Sequence, residues 1–126
     1  MLFRSPFRTA GWDDARLLGP LLDAWSDLTF LLAHIGWDQS DQVLALASGR
    51  PWAWVETSWQ DAATIRKAVG MLGPDRVVFG SDWPLLKPSY ALAHIRRALP
   101  DAPSREAVMG GNAMRLLGLR ALAGES

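Results

Sequence analysis

The chain has no cysteine. That excludes disulfides, thiol nucleophiles and thiolate-held metals, and it suits a reducing cytoplasm, the location expected here. Histidine is scarce as well: His34 and His94 are the only two. Charge of one sign is missing, since thirteen basic residues balance thirteen acidic ones for a formal net charge of +0. No net field therefore favours nucleic acid or an anionic membrane, and neither is expected as a partner. No apolar run approaches the ~20 residues of a membrane span, and Met1-Leu2-Phe3-Arg4 is no signal peptide. What the chain does have is tryptophan, seven in 126 residues, in a composition that is 49% hydrophobic and 21% charged. This is the profile of one globular domain, in which several indoles are buried or line a pocket.

The stretch from Arg76 to Pro84, Arg-Val-Val-Phe-Gly-Ser-Asp-Trp-Pro, organises the rest. Val77, Val78 and Phe79 form an unalternating run between Gly73-Pro74 and Gly80. Such a run reads as a strand buried on both faces, as in a parallel α/β sheet. In parallel α/β folds the carboxyl ends of the strands carry ligands and catalytic groups. Asp82, just past this strand, is therefore well placed for chemistry, although a turn aspartate capping the next segment would look the same in sequence.

The remaining elements fall into a regular order. After a loop through Trp12, Asp13 or Asp14 would cap a helix to about Asp27, with Leu17, Leu18, Leu21, Leu22 and Trp25 on one face and a break or kink at Gly19-Pro20. Strands are expected at Leu28–Ala33, Trp52–Glu56 and Val77–Phe79. Helices are expected at about Ser40–Ser48, Gln60–Leu72, Ser89–Leu99, Ser104–Met109 and Asn112–Leu119, followed by a polar tail. Strands alternating with helices predict βαβ units and a parallel sheet. Each run delivers a polar residue at its carboxyl end, and these residues, His34, Thr57 and Asp82, recur at nearly even spacing. Parallel strands would bring all three to one rim.

Within that rim, His34 can ligate a metal or work as an acid or base, although a lone histidine after an apolar run is also a common structural residue. His94 lies mid-helix and reads as structural. Thr57 and Ser58 would either hydrogen-bond a substrate or cap the helix at Gln60, with the cap preferred. Glu56 would face helices or form an ion pair, and no site role is assigned to it. Trp37, Trp59 and Trp83 each follow a strand end and would crowd the same rim. Trp12, Trp25, Trp52 and Trp54 read as packing residues.

Four segments in this order carry a resemblance: Leu-Leu-Ala-His34-Ile-Gly, Trp-Val-Glu-Thr57-Ser, Gly73-Pro-Asp-Arg-Val-Val-Phe-Gly-Ser-Asp82-Trp-Pro, and Asn112-Ala-Met-Arg-Leu-Leu-Gly-Leu. Over about residues 5 to 119 the chain resembles the carboxyl-terminal half of amidohydrolase-related, metal-dependent hydrolases, a group that also includes lactone hydrolases and non-oxidative decarboxylases. The resemblance implies a partial (β/α) TIM-type barrel of about three parallel strands. It implies a divalent metal, zinc first and manganese as the alternative, bound only in the complete barrel. Asp82 would be the metal ligand and base, His34 the group that polarises or protonates substrate, and Trp37, Thr57, Trp59 and Trp83 the substrate-binding residues. The family's amino-terminal His-x-His pair is absent, because His34 and His94 lie far apart in the chain. A whole barrel takes ~250 residues. The expectation is thus a fragment or half-barrel acting on a small-molecule substrate, inactive alone, and completed by the missing amino-terminal half or by self-association. Amide or lactone hydrolysis is the first reading, decarboxylation the second, and a catalytically silent partner-binding half the third.

Overall fold

The structure, a computed structural model, describes residues 14–119. The expectations for the loop through Trp12, for Asp13 and for the polar tail lie outside the described residues. Three short strands, β1 (Phe30–Leu32), β2 (Ala53–Glu56) and β3 (Val77–Val78), form a parallel sheet in the order β1-β2-β3. Helices connect and flank them: α1 (Leu18–Ala24), α2 (Ser40–Ser48), α3 (Ala62–Leu72), α4 (Pro88–Ala98), α5 (Ala102–Glu106) and α6 (Asn112–Leu116). The architecture is α/β, three parallel strands with flanking helices.

Register decides which residues face the helices. Phe30 pairs with Ala53, Leu32 with Val55, and Val55 with Val77. Side chains alternate along a strand, so these residues share one face. There they join Leu22, Val43, Leu44, Ile65, Ala68 and Ile95 in the buried core. The other face carries Leu31 beside Trp54 and Glu56 beside Val78. Leu31 is 43% exposed, whereas the Arg115 guanidinium lies over the Trp54 ring, 5.4 Å from its centroid. At the opposite end from the site, Arg76 Nη1 donates to Ala47, Arg50 and Ala53 carbonyls at 3.0, 2.8 and 3.2 Å. One half-buried guanidinium therefore ties α2, β2 and β3 together, and burial lowers its pKa from the usual arginine value.

The β3 edge is partly covered, since Phe79 N–H donates to Val108 O at 2.9 Å. Behind that contact, buried Asn112 donates through Nδ2 to the Pro74 and Val77 carbonyls, both at 2.7 Å. Residues Ala107–Gly111 form a π-type turn between α5 and α6, so the two expected helices at the end of the chain are one continuous helical segment. Among the described residues β1 has a single strand neighbour, β2.

Several expectations need correction. No break occurs inside the first helix. Residues Ala15–Leu17 form a 3-10 turn, and Pro20 then falls in the first turn of α1, where a missing N–H costs little. That change of pitch and the early end at Ala24 split the apolar stripe: Leu22 is buried but Leu17, Leu21 and Trp25 are 57%, 47% and 54% exposed. Trp25 is thus not a packing residue within the described residues. The α3 cap is Asp61, whose carboxylate accepts from Thr64 N at 2.8 Å, and not Thr57 or Ser58.

Hydrogen bonds from the Thr64 backbone and hydroxyl hold the Asp61 carboxyl below the usual carboxylate range. Its folded pKa is therefore lower than its unfolded one. The cap contributes fully above the ordinary aspartate value and is lost as pH falls through the depressed one. Asp61→Ala should cost about 1 kcal/mol in urea unfolding at neutral pH, with the gap closing under acid. Equal stability of the two proteins at pH 7 would contradict this cap.

Candidate active site

The three strand ends each continue into left-handed backbone. After β1, His34, Ile35, Gly36 and Trp37 have φ of 57, 46, 74 and 60°. After β2, Trp59 has φ 64°, and after β3, Asp82 has φ 55°. Non-glycine residues in this region cost roughly 1–2 kcal/mol each, most of all a β-branched one such as Ile35. The fold offsets this locally. Ile35 is fully buried in the core, and Gly36 packs so tightly that a Cβ there would meet Val43 Cγ2 at 2.2 Å. Gln60 then clamps the turn, donating through Nε2 to His34 O at 2.6 Å and Trp37 O at 3.0 Å. Strained residues held by their surroundings cluster at functional sites.

The turn places buried His34 against the end of β2. Its backbone N–H donates to Glu56 Oε2 at 3.0 Å, and its ring Nδ1 is 2.5 Å from Ser58 Oγ and 3.4 Å from Glu56 Oε2. Glu56 also accepts from Ser58 N at 2.6 Å and Ser58 Oγ at 2.8 Å. Glu56 thus turns away from the helices and onto the strand-end rim, where it accepts these hydrogen bonds. From the other side Gly80 closes the seat, since a Cβ on it would lie 2.0 Å from Glu56 Oε1. A cavity of about 350 Å3 is lined by Ala33, His34, Glu56, Ser58, Gly80 and Asp82. Asp82 is half-buried and accepts from Trp59 Nε1 through Oδ2 at 2.8 Å.

The strand ends thus bring His34 and Asp82 onto one cavity. The Trp37 and Trp59 rings pack at a 48° tilt with centroids 5.1 Å apart and line an adjoining crevice of about 120 Å3 with Asp38 and Gln60. Thr57 is buried and faces inward to the scaffold: its N–H donates to Val78 O, and its Oγ1 accepts from Gly80 N at 3.3 Å. Trp83 is 72% exposed and lines neither cavity. His94 packs edge-on against Tyr90, away from this rim. Glu56, given no site role from the sequence, lines this cavity, together with Ser58, which the sequence offered as a substrate contact or a helix cap. The available signal was a carboxylate at the inward-facing position of a buried strand, close before a serine and opposite a glycine.

Among the described residues no three His, Cys, Asp or Glu side chains stand close enough to hold a metal ion. Asp82 and His34 alone fall short of the three protein ligands usual for a catalytic metal. No helix of the described residues is long and apolar enough to cross a membrane.

A family model for amidohydrolases matches residues 6–119, and the chain belongs to that family. No curated protein matches it. Its fold is similar to a TIM-barrel protein of Bordetella bronchiseptica, with TM-score 0.74 and 23% identity over 88% of this chain and 41% of that one. It is similar to a dihydroxybenzoic acid decarboxylase of Polaromonas sp. JS666 with bound manganese, at TM-score 0.65 and 23% identity over 85% and 39% of the two chains. It is also similar to an amidohydrolase of Burkholderia multivorans with bound zinc, at TM-score 0.62 and 22% identity over 84% and 50%. The chain therefore spans two-fifths to one-half of the barrels it resembles, and its sheet is a partial TIM barrel.

The Gly80 seat yields a prediction. In Gly80→Ala the methyl group would displace a carboxylate pinned by three hydrogen bonds. Breaking one charge-assisted bond costs about 1.5–3 kcal/mol, so the variant should lose stability on that scale in denaturant unfolding. A loss below the measurement error would mean that Glu56 is not held where the structure places it.

Proposed function

We propose that the chain supplies the carboxyl-terminal half of a metal-dependent active site that hydrolyses an amide or lactone of a small-molecule substrate. The observation that carries this reading is the meeting of His34 and Asp82 on one cavity at the carboxyl ends of parallel strands. Family membership supports it. Asp82 takes the proton of the attacking water as its oxygen bonds to the carbonyl carbon. His34 hydrogen-bonds the carbonyl or leaving group, and a proton returned to that group completes the C–N or C–O cleavage. Trp59 aims Asp82 through its indole N–H, and the Trp37–Trp59 crevice accepts the apolar part of the substrate.

A divalent ion belongs to this reading because the similar barrels carry manganese and zinc. It would lower the pKa of its bound water and polarise the carbonyl. Asp82 would be this chain's ligand for it. The remaining ligands would come from a complementary half-barrel carrying His-x-His, which would also pack on the side of β1 that has no strand neighbour among the described residues and on the exposed Leu31. Decarboxylation of an aromatic acid is the second reading, favoured by the likeness to the dihydroxybenzoic acid decarboxylase.

The test combines metal analysis by mass spectrometry with turnover assays on the chain alone and with a complementary half-barrel. The chain alone should hold no stoichiometric metal and show no turnover. The complemented enzyme should hold metal and cleave amides or lactones; carbon dioxide release from aromatic acids instead would select the second reading. Asp82→Asn should cut turnover in the complemented enzyme by at least ~10²-fold with an unchanged thermal melt. Normal turnover by that variant would remove Asp82 from the chemistry.

A further inference from the structure

We propose that Glu56 is a positioning residue that acts through Ser58 to fix the His34 ring proton on Nδ1 and leave the lone pair on Nε2. Counting donors leads to this assignment. A carboxylate only accepts, and Glu56 Oε2 lies 2.8 Å from Ser58 Oγ, so the single hydroxyl proton of Ser58 points at Glu56. Ser58 Oγ can then only accept from His34 Nδ1, 2.5 Å away, which requires a proton on that nitrogen. The opposite tautomer would turn the hydroxyl proton toward Nδ1. It would set hydroxyl lone pairs against Oε2 at 2.8 Å and a nitrogen lone pair 3.4 Å from the same oxygen. His34 and Ser58 are 4% and 1% exposed, so water cannot relieve that repulsion.

Two features hold the relay in place. The backbone N–H groups of His34 and Ser58 fix the carboxylate from two directions, and Gly80 leaves no room for it to turn away. The consequence for chemistry rests on the proposed role of His34 at substrate. An unprotonated Nε2 accepts a proton first and returns it from the doubly protonated ring. The Glu56 carboxylate, 3.4 Å from Nδ1, stabilises the charge held between those two events. Glu56 itself touches no substrate.

The test is imidazole nitrogen NMR on the full chain labelled with ¹⁵N-histidine at neutral pH. His94 is the only other histidine, so a His94→Gln variant assigns the signals. His34 should show a protonated Nδ1 and an unprotonated Nε2. In Glu56→Ala the Ser58 hydroxyl loses its acceptor, so the Nδ1–H form should lose its dominance. If that variant does not fold, Ser58→Ala should give the same loss and Ser58→Thr should restore the wild-type signals. A wild-type His34 protonated on Nε2, or an unchanged tautomer in Glu56→Ala or Ser58→Ala, overturns the proposal. The readout needs no turnover. A chain with the Nδ1–H tautomer whose complemented enzyme is inactive would contradict the proposed function and leave this relay standing.

Discussion

The constraint on which the rest depends is the central position of β2, hydrogen-bonded in parallel to both neighbours. Because the three strands run the same way, all their carboxyl ends open on one rim. β2 lies between the other two, so the residues that follow it reach both. Glu56 and Ser58 hold His34 at the end of β1, Thr57 accepts from Gly80 at the end of β3, and Trp59 holds Asp82. A one-residue slip of β2 would send Glu56 into the helix-packed face and place Val55 at the rim. The buried Ala53–Val55 face and the Arg76 stitch at the far end both oppose that slip.

The site is also where the backbone is least relaxed. Left-handed residues follow each strand, and the compensation comes from packing and from side chains that bond to main chain. Burial of Ile35 and the Gln60 clamp hold the His34 turn, while the Trp59 indole holds Asp82. The strain at His34 and Asp82 is thus offset by neighbouring packing and hydrogen bonds. Those contacts hold the rim together although β1 and β3 contribute only three and two residues.

Much of this was legible in the chain itself. Unalternating runs marked the strands, and glycine and proline punctuation marked α2 from Ser40 to Ser48. The strand at Leu28–Ala33 came out shorter because only Phe30–Leu32 meet partners on β2. The meeting of Asp82 and His34 on one rim was readable from their strand-end positions. Glu56 was not, because its seat is made by a left-handed turn far upstream at His34 and a glycine far downstream at Gly80. For Thr57 the sequence left a substrate contact and a helix cap open, whereas the alternation of β2 buries it against the scaffold. Trp83 illustrates the same limit: its place after a strand end suggested a wall, yet the chain leaves it 72% exposed.

Whether three strand ends form one site around His34 and Asp82 is measured most directly by paramagnetic broadening of backbone amide signals as manganese is titrated into the chain. Even a loosely held ion marks its surroundings in this way. The amides of His34, Ser58, Gly80 and Asp82 should broaden first and together. Broadening centred instead on scattered exposed carboxylates such as Asp41 and Asp75, with those four signals intact, would contradict a single site.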